Sequence, residues 1–307
     1  MFRINKIILP PGGCLKKFLH FQYFCILFAS LIIISCKQES PVGITYVDDI
    51  NFHNRTFAVT VPSNYDPSNP SPLLFVFHGI GMDGELLKSR TKFDSLTFDQ
   101  RYIIVYPNSI YGAWTDGCDC NLSDQKRVDD LAFVDFLIDS MKKAYAIDTT
   151  RIYGWGVSQG AAFLQRLACE RAEKFAAFSS YLGTLRYFAA RECSPNTSVN
   201  IQIVNSTNDP DVLWNGLDLL PYSFLSVPDV IKKWSGINAC SDSASVIYYE
   251  DKVDYINVEK YIYKDCSSNK EIELIKIING GHYFYRNAEF NYSSEAINFF
   301  NKHRLNE

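Results

Sequence analysis

The feature that most constrains the fold is a five-residue segment, GVSQG, at positions 156–160. It follows a short strand pattern at Arg151–Trp155 and leads into a helical pattern at Gly160–Cys169. Gly-x-Ser-x-Gly at such a junction is typical of a sharp strand-to-helix turn that carries a nucleophilic serine. Small residues are needed there because a larger neighbour would clash within the turn. The sequence therefore predicts Ser158 as a nucleophile at the edge of a sheet.

Strand and helix patterns alternate along the rest of the chain. The predicted strands are Arg55–Val61, Leu73–Phe77, Tyr102–Tyr106, Arg151–Trp155, Ile201–Val204, Val258–Tyr263 and Ile272–Ile278, and the predicted helices are Val128–Tyr145, Gly160–Cys169 and Ser293–His303. Such alternation predicts an α/β fold, in which a mostly parallel sheet carries helices on both faces. We expect one domain to occupy residues 51–307.

The first 36 residues predict a processing segment. Residues 18–35 hold no charged side chain, and Lys16 and Lys17 come directly before them. The sequence ISC that ends at Cys36 resembles a bacterial lipobox, whose cysteine becomes the lipid-bearing first residue of the mature protein. We expect a membrane-anchored, exported lipoprotein with residues 37–50 as a tether. An uncleaved transmembrane helix is the alternative, because 18 residues just reach the spanning length.

Net charge argues against a nucleic-acid partner. Only four of the 30 lysines and arginines precede Cys36, so 26 of them face 34 acidic residues from there onward, a net charge of −8. Neutralising a phosphate backbone requires a basic face, which this balance does not favour.

We expect neither a metal nor an organic cofactor.

Cysteine usage agrees with export. Six cysteines follow Cys36, and an even number in an exported chain is typical of disulfides. Proximity along the chain favours the pairs Cys169–Cys193 and Cys240–Cys266. Cys118 and Cys120 then remain, and a bridge between them would be strained. A zinc site is disfavoured, because no Cys-x-x-Cys pair or neighbouring histidine accompanies these residues.

Elimination among five histidines points to His282 as the general base. The other four are His20 in the processing segment, His53 before the first strong strand, His78 directly after a strand and His303 near the end of the last helix. His282 follows a predicted strand and two glycines, so it can stand on a loop at the sheet edge. It also comes after Ser158, as the order Ser, Asp, His of this fold class requires. A simple turn residue is the alternative.

The acid that orients this histidine should follow a strand between the serine and the histidine. Asp209 comes five residues after the predicted strand Ile201–Val204 and would hold the imidazole in the required tautomer. Asp211 is close enough to compete for this role. A solvated turn aspartate before Pro210 is a further alternative.

A glycine-containing segment, HGIG at positions 78–81, predicts part of an oxyanion hole. It follows the apolar strand Leu73–Phe77, where a second hydrogen-bond donor is expected. We expect the backbone N–H groups of Ile80 and Gln159 to face the developing negative charge on the substrate oxygen. A glycine-rich turn without that role is the alternative.

Taken together, these segments resemble the polyhydroxybutyrate-depolymerase-type esterase family of the α/β-hydrolase fold, which includes feruloyl and acetyl xylan esterases. The resemblance covers about residues 55–285. It rests on "FAVTV" running into "PSNYD", and on "PLLFVFHG", "YIIVYPN", "VDDLAFVDFLID", "IDTTRIYGWGVSQGA", "LACE" and "NGGH". The run from "VDDLAFVD" through "LACE" is the most specific part. The positions of Cys169, Cys193, Cys240 and Cys266 are also similar to the family's habit.

This resemblance implies a serine esterase that forms an acyl-enzyme with a small-molecule or oligosaccharide ester. Two departures concern the site. The family usually has His-Gly-Thr-x-Asp where this chain has NSTND at 205–209, and a Trp-Pro pair where it has Tyr283–Tyr285. The first leaves the three catalytic residue types intact, and the second alters the wall of the groove. A non-catalytic surface binding protein and a polyhydroxyalkanoate depolymerase remain alternatives.

Aromatic residues are plentiful near the motif loops. They are Trp114, Trp214, Tyr283, Phe284 and Tyr285. Such rings can stack on a sugar or a phenolic acyl group, although we expect at least half of them to pack in the core. The pattern favours soluble short-chain or aryl-acyl esters over polymer films and long-chain lipids.

Overall fold

The computed structural model describes residues 42–46, 55–249, 257–285 and 290–305. The strands are β1 Val42–Tyr46, β2 Thr56–Thr60, β3 Ser71–Phe77, β4 Ile103–Pro107, β5 Ile147–Val157, β6 Ala177–Tyr181, β7 Ile201–Ser206, β8 Ser245–Tyr249, β9 Val258–Tyr263 and β10 Ile272–Ile277. The helices are α1 Gly84–Thr91, α2 Phe93–Leu96, α3 Leu122–Gln125, α4 Asp130–Ala144, α5 Gln159–Glu170, α6 Tyr187–Glu192, α7 Val227–Asn238 and α8 Tyr292–Phe300. The predicted processing segment with Cys36, and also His53, lie outside the described residues.

In the described ranges the strands form one ten-stranded sheet, in the order β1-β2-β4-β3-β5-β6-β7-β10-β9-β8. Six neighbouring strands of this order pair in parallel, namely β4, β3, β5, β6, β7 and β10. Strands β1 and β2 at one edge and β9 and β8 at the other pair in antiparallel fashion. The predicted α/β class is therefore confirmed. Residues 42–46, which lie within the predicted tether at 37–50, pair with β2 as strand β1.

Helices cover both faces of the sheet, as the alternation along the chain predicts. In β3 the side chains of Leu73, Phe75 and Phe77 enter one apolar core, and those of Leu74 and Val76 enter the other. This division follows from the two-residue period of a strand. Helices α4, α5 and α7 pack in the first core, and α1, α2 and α8 pack in the second.

Strand β6 escaped the sequence prediction because two serines interrupt its apolar pattern. Ser179 on β6, Gln202 on β7 and Glu273 on β10 are directly paired across three neighbouring strands. Ser179 Oγ donates to Gln202 Oε1 at 2.8 Å, and Gln202 Nε2 donates to Glu273 Oε2 at 2.8 Å. Lys260 Nζ lies 3.0 Å from Glu273 Oε2. The buried polar groups are thus paired with one another, which offsets their loss of water.

Helix α7 was also not predicted from the sequence. Ser226 caps it by accepting a hydrogen bond from the backbone N–H of Asp229, and Val230, Ile231 and Trp234 face the first core. None of the helices in the described part of the chain combines the length and the apolar character needed to cross a bilayer.

Three disulfides are present in the described residues. They join Cys118 to Cys120, Cys169 to Cys193 and Cys240 to Cys266. The last two are the pairs that proximity along the chain favours. Cys169–Cys193 fixes the end of α5 to the end of α6, so the helix after Ser158 is tied covalently to its neighbour.

We expect His303, just after α8, to make the folded state sensitive to acid. Its ring packs 4.6 Å from that of Phe299, and its Nε2 atom has no hydrogen-bond partner within the described part of the chain. Burial, reinforced by the charge of Lys302, lowers the pKa of His303 from 6.5 to about 4.

Between pH 6.5 and pH 4 the unfolded chain therefore binds a proton that the folded chain does not. We expect the free energy of unfolding to decrease as the pH is lowered through this window, by up to about 1.4 kcal/mol per pH unit. Urea denaturation of the wild type and of His303→Phe at several pH values measures this slope. An equal slope in both proteins would exclude His303 as its source.

Candidate active site

The side chains of the candidate site come from loops at one edge of the sheet. Ser158 follows β5, Asp209 follows β7 and His282 follows β10. These three strands run parallel within the central part of the sheet, so their carboxyl ends lie on the same side. Such an edge is the usual place for ligands in open α/β sheets.

Ser158 stands on a strained turn between β5 and α5. Its backbone has φ 56° and ψ −123°, and its N–H donates to Tyr181 O at 2.9 Å. A Cβ atom on Gly156 would lie 2.4 Å from Gly160 O, and one on Gly160 would lie 2.4 Å from the carbonyl oxygens of Phe77 and His78. Both motif glycines are therefore required by close backbone approach, which holds Ser158 at the tip of the turn.

Asp209 and His282 form a direct pair. His282 Nδ1 lies 2.7 Å from Asp209 Oδ2, and the Asp209 side chain is fully buried. The other oxygen, Oδ1, accepts the backbone N–H groups of Asp211 and Val212, both at 2.9 Å. Asp211 is exposed; its backbone N–H makes the hydrogen bond to Asp209, and one of its carboxylate oxygens lies within 4.8 Å of an Asp209 carboxylate oxygen and of a His282 ring nitrogen. Of the two candidate acids, the structure thus places Asp209 against the imidazole.

Backbone and phenol hydrogen bonds hold the loop that carries His282. Tyr285 Oη accepts from Gly281 N at 2.6 Å, and Tyr181 Oη donates to Tyr283 O at 2.7 Å. The loops after β7 and β10 are also joined to each other, because Asn208 N donates to Gly280 O at 3.0 Å. Asp209 and His282 are therefore fixed relative to one another by their own loops.

A pocket of about 440 Å³ opens at Ser158 and His282. Further side chains in its wall are Ile80, Met82, Gln159, Thr184, Arg186, Asp211, Val212, Phe224, Tyr283 and Phe284. Its volume lies in the range of small-molecule sites. Ser158 and His282 share this wall, and among the described residues no hydrogen bond joins their side chains.

The two predicted oxyanion donors lie in the same wall. Ile80 and Gln159 both line the pocket, and neither backbone N–H donates a hydrogen bond to another residue in the described ranges. His78, two residues before Ile80, is buried, and burial lowers its pKa below the ordinary value. The ring is therefore neutral, with Nε2 accepting from Ser109 N at 3.1 Å and Nδ1 facing Gly79 O at 2.8 Å.

An acidic cluster lies behind Arg186, beside the short disulfide. Asp116 Oδ2 lies 2.8 Å from Arg186 Nε, and its Oδ1 accepts from Cys118 N at 3.2 Å. Burial, reinforced by Asp116, raises the pKa of Asp124 to about 7. Asp116, Cys118 and Asp124 have the residue types of a metal site. The Cys118 sulfur is in a disulfide and Asp116 is bound to Arg186, so these groups serve the loop structure.

Two of the five aromatic residues expected near the substrate line the pocket. Tyr283 and Phe284 lie in its wall. Trp114 is fully buried, with its ring stacked on Phe163 at 5.2 Å, and Tyr285 is also buried. Trp214 packs against the first core and is likewise absent from the pocket wall.

Sequence reasoning missed Thr184, Arg186 and Phe224 as pocket residues. The first two follow β6, so recognising that strand would have placed them at the sheet edge. Phe224 joins them because it forms an isolated bridge with Arg186. No local pattern in the sequence signals that contact.

Known proteins of similar sequence are esterases by name. The chain is 30% identical over 233 residues to a bifunctional acetylxylan esterase/xylanase of Neocallimastix patriciarum, covering 74% of this chain and 31% of the relative. It is 26% identical over 197 residues to feruloyl esterase C of Emericella nidulans, covering 61% of this chain and 66% of the relative. The chain thus spans about one third and just under two thirds of these relatives. No protein-family model matches it.

Two known structures of similar fold are esterases by name. The acetyl xylan esterase from Aspergillus awamori superimposes with a TM-score of 0.59 at 15% identity, covering 81% of this chain and 94% of that one. The ferulic acid esterase from Anaeromyces mucronatus, solved with ferulic acid, gives a TM-score of 0.56 at 14% identity, covering 86% and 90%. The protein therefore has the α/β-hydrolase fold.

Proposed function

We propose that the protein is an exported carboxylic ester hydrolase that acts through Ser158, His282 and Asp209. The observation that carries this proposal is their arrangement around one pocket. Ser158 stands on a strained turn, and His282 lies in the same wall with its Nδ1 atom 2.7 Å from the buried Asp209. A nucleophile, a base and an orienting acid are the parts that acyl transfer requires.

In this proposal Ser158 Oγ attacks the ester carbonyl while His282 takes its proton. The bond to the alkoxy group then breaks, and the alcohol leaves with the proton that His282 returns. Water then attacks the acyl-enzyme while His282 takes its proton. The bond from the acyl group to Ser158 Oγ breaks, the acid leaves, and His282 returns the proton to the serine. Asp209 fixes the imidazole so that Nε2 faces the serine and stabilises the imidazolium that forms. Hydrogen bonds between catalytic groups often shorten only once substrate is bound.

The negative charge on the carbonyl oxygen is stabilised by the N–H groups of Ile80 and Gln159. Both residues line the pocket beside Ser158. The Gln159 N–H belongs to the first turn of α5, where backbone donors lack partners within the helix and the dipole favours an anion. Donors fixed in this way stabilise the transition state without reorganising.

The substrates we propose are acetyl or aryl-acyl esters on saccharides. The names of the relatives, acetylxylan esterase and feruloyl esterase, support this choice. The pocket wall offers Phe224, Phe284 and the exposed Tyr283 for contact with an aromatic acyl group or a sugar ring. Thr184 and Arg186 supply polar groups in the same wall.

A panel of esters tests the proposed function. It comprises p-nitrophenyl acetate and butyrate, methyl ferulate, acetylated and feruloylated xylo-oligosaccharides, a long-chain triglyceride and a polyhydroxybutyrate film. We expect turnover on the short-chain and feruloyl esters to exceed turnover on the triglyceride and the film. Faster hydrolysis of the film or the triglyceride would contradict the proposed substrate class.

A fluorophosphonate probe separates an enzyme from a binding protein of the same fold. An activated serine reacts with the probe, and an inactive one does not. We expect one labelled serine, Ser158. A folded protein that neither labels nor hydrolyses any ester of the panel would be a non-catalytic binding protein.

Export with a lipid anchor at Cys36 is the second part of the proposal. The uncharged run of residues 18–35 that ends at this cysteine supports it. The three disulfides further along the chain are typical of proteins outside the cytosol.

Cys36→Ser is expected to abolish incorporation of an alkyne-tagged fatty acid and to remove the protein from washed membranes of a bacterial host. Cys25→Ser, which changes a cysteine within the same uncharged run, is the matched control and should keep the label. Unchanged membrane association without cleavage in the Cys36 variant would favour the transmembrane alternative.

A further inference from the structure

The two proposed oxyanion donors lie far apart in the chain, yet one buried set of hydrogen bonds connects them. The donors are the backbone N–H groups of Ile80 and Gln159. Between them lies Trp114, which is fully buried and does not line the pocket. Its hydrogen bonds reach Gln159 itself on one side and His78, two residues before Ile80, on the other.

On one side, the Gln159 side chain binds the backbone of Trp114 twice. Trp114 N donates to Gln159 Oε1 at 3.0 Å, and Gln159 Nε2 donates to Trp114 O at 2.6 Å. The side chain of Gln159 is therefore anchored on the loop before α3, while its N–H is a proposed oxyanion donor. Such a reciprocal pair fixes an amide in both directions, because donor and acceptor are each satisfied.

On the other side, Trp114 holds the segment that leads to Ile80. Its indole Nε1 donates to His78 O at 3.0 Å, and its ring is stacked on Phe163 with centroids 5.2 Å apart. Next along the chain, the His78 ring lies 2.8 Å from Gly79 O through Nδ1. The Nε2 atom of that ring already accepts from Ser109 N, so Nδ1 carries the hydrogen and donates.

The carbonyl of Gly79 and the N–H of Ile80 belong to one planar peptide unit. In a trans peptide they point in opposite directions. A hydrogen bond from His78 to that carbonyl therefore sets the direction of the Ile80 N–H. A second contact, from Gly81 N to Gly112 O at 3.0 Å, ties the same turn to the loop that carries Trp114.

The geometry points to Gln159 and Trp114 as positioning residues that hold the two oxyanion donors at a fixed separation and direction. This inference rests on the proposed function, since it assigns how that reaction's transition state is stabilised. Two donors act together only if both reach one oxygen, so movement of either loop weakens both hydrogen bonds at once. Ground-state binding of the ester depends much less on them.

Two conservative variants test the inference. Trp114→Phe keeps the aromatic packing and removes the bond to His78 O, and Gln159→Met keeps the side-chain length and removes both bonds to Trp114. We expect kcat on p-nitrophenyl acetate to fall by about 10- to 100-fold in each, with little change in KM. Affinity for a trifluoromethyl ketone, which forms a tetrahedral adduct with the serine, should fall by the same factor.

The chain offers a matched control pair. Gln165 lies on the same helix as Gln159, and Trp234 is a fully buried tryptophan whose Nε1 donates to Gln165 Oε1 at 3.3 Å. Trp234→Phe removes a buried indole hydrogen bond of the same kind, and neither Trp234 nor Gln165 lines the pocket. We expect it to lower the melting temperature as Trp114→Phe does, and to leave kcat and ketone affinity unchanged.

The double variant separates coupling from general damage. If the two residues act through one set of hydrogen bonds, the factor by which Gln159→Met combined with Trp114→Phe lowers kcat should be smaller than the product of the two single-variant factors. Full kcat in folded single variants, or a kcat loss in Trp234→Phe as large as in Trp114→Phe, would overturn the inference. Absence of any ester turnover in the wild type would instead contradict the proposed function.

Discussion

Ser158→Ala is expected to lower kcat for ester hydrolysis by roughly 10⁴- to 10⁶-fold, the loss typical when a triad nucleophile is removed. Without the Oγ atom no acyl-enzyme can form, so His282 and the oxyanion donors have no nucleophile to assist. The fold should persist, because the turn depends on the close approach of Gly156 and Gly160 and on the bond from the serine N–H to Tyr181 O.

The measurement is single-turnover hydrolysis of p-nitrophenyl acetate, together with fluorophosphonate labelling and circular dichroism. Ser140→Ala is a suitable control, since Ser140 lies on α4 and its Oγ donates to Phe136 O at 2.8 Å. Substantial turnover in a folded Ser158→Ala variant would show that another residue is the nucleophile.

Asp209→Asn is expected to lower kcat by about 10⁴-fold, since an amide in place of the carboxylate favours the wrong imidazole tautomer. The substituted side chain would still fit, because Asp209 Oδ1 accepts two backbone N–H groups that an amide oxygen can also accept. The loss should therefore fall on kcat and leave the fold intact.

Asp211→Asn provides the comparison. Asp211 is exposed, and its hydrogen bond to Asp209 comes from its own backbone N–H, which the change to asparagine keeps; its carboxylate lies within 4.8 Å of His282 but is not the oxygen bound to the ring, so the change should lower kcat much less. Parallel kcat measurements on both variants decide between the two acids. Full activity in Asp209→Asn with loss in Asp211→Asn would reverse their roles.

The sequence predicted the fold class and the strands that carry the site because those strands are strongly apolar. Leu73–Phe77 and Ile201–Val204 have patterns typical of a buried strand, and GVSQG is typical of one kind of turn. Once a parallel sheet is inferred, the carboxyl ends of its strands must meet at one edge. Asp209 and His282 could therefore be chosen as partners of Ser158 although they lie far apart in the chain.

The rest could not be predicted, because it depends on contacts between distant segments. The serines of β6 look like loop residues until Gln165 and Gln202 are seen to bind them. Trp114 looked like a substrate contact, because the flat apolar face that stacks on a sugar also stacks on Phe163. Aromatic composition near a motif loop does not distinguish these two uses.

The row of Ser179, Gln202 and Glu273 has a consequence for how accurately the sheet assembles. Strands β6, β7 and β10 are parallel neighbours, and apolar residues alone would let one slide against another. A shift in register by one residue would turn each side chain to the opposite face. A shift by two residues would leave Glu273 buried without its hydrogen bond from Gln202. The polar row therefore favours the native register, in which the loops bearing Asp209 and His282 leave the sheet side by side.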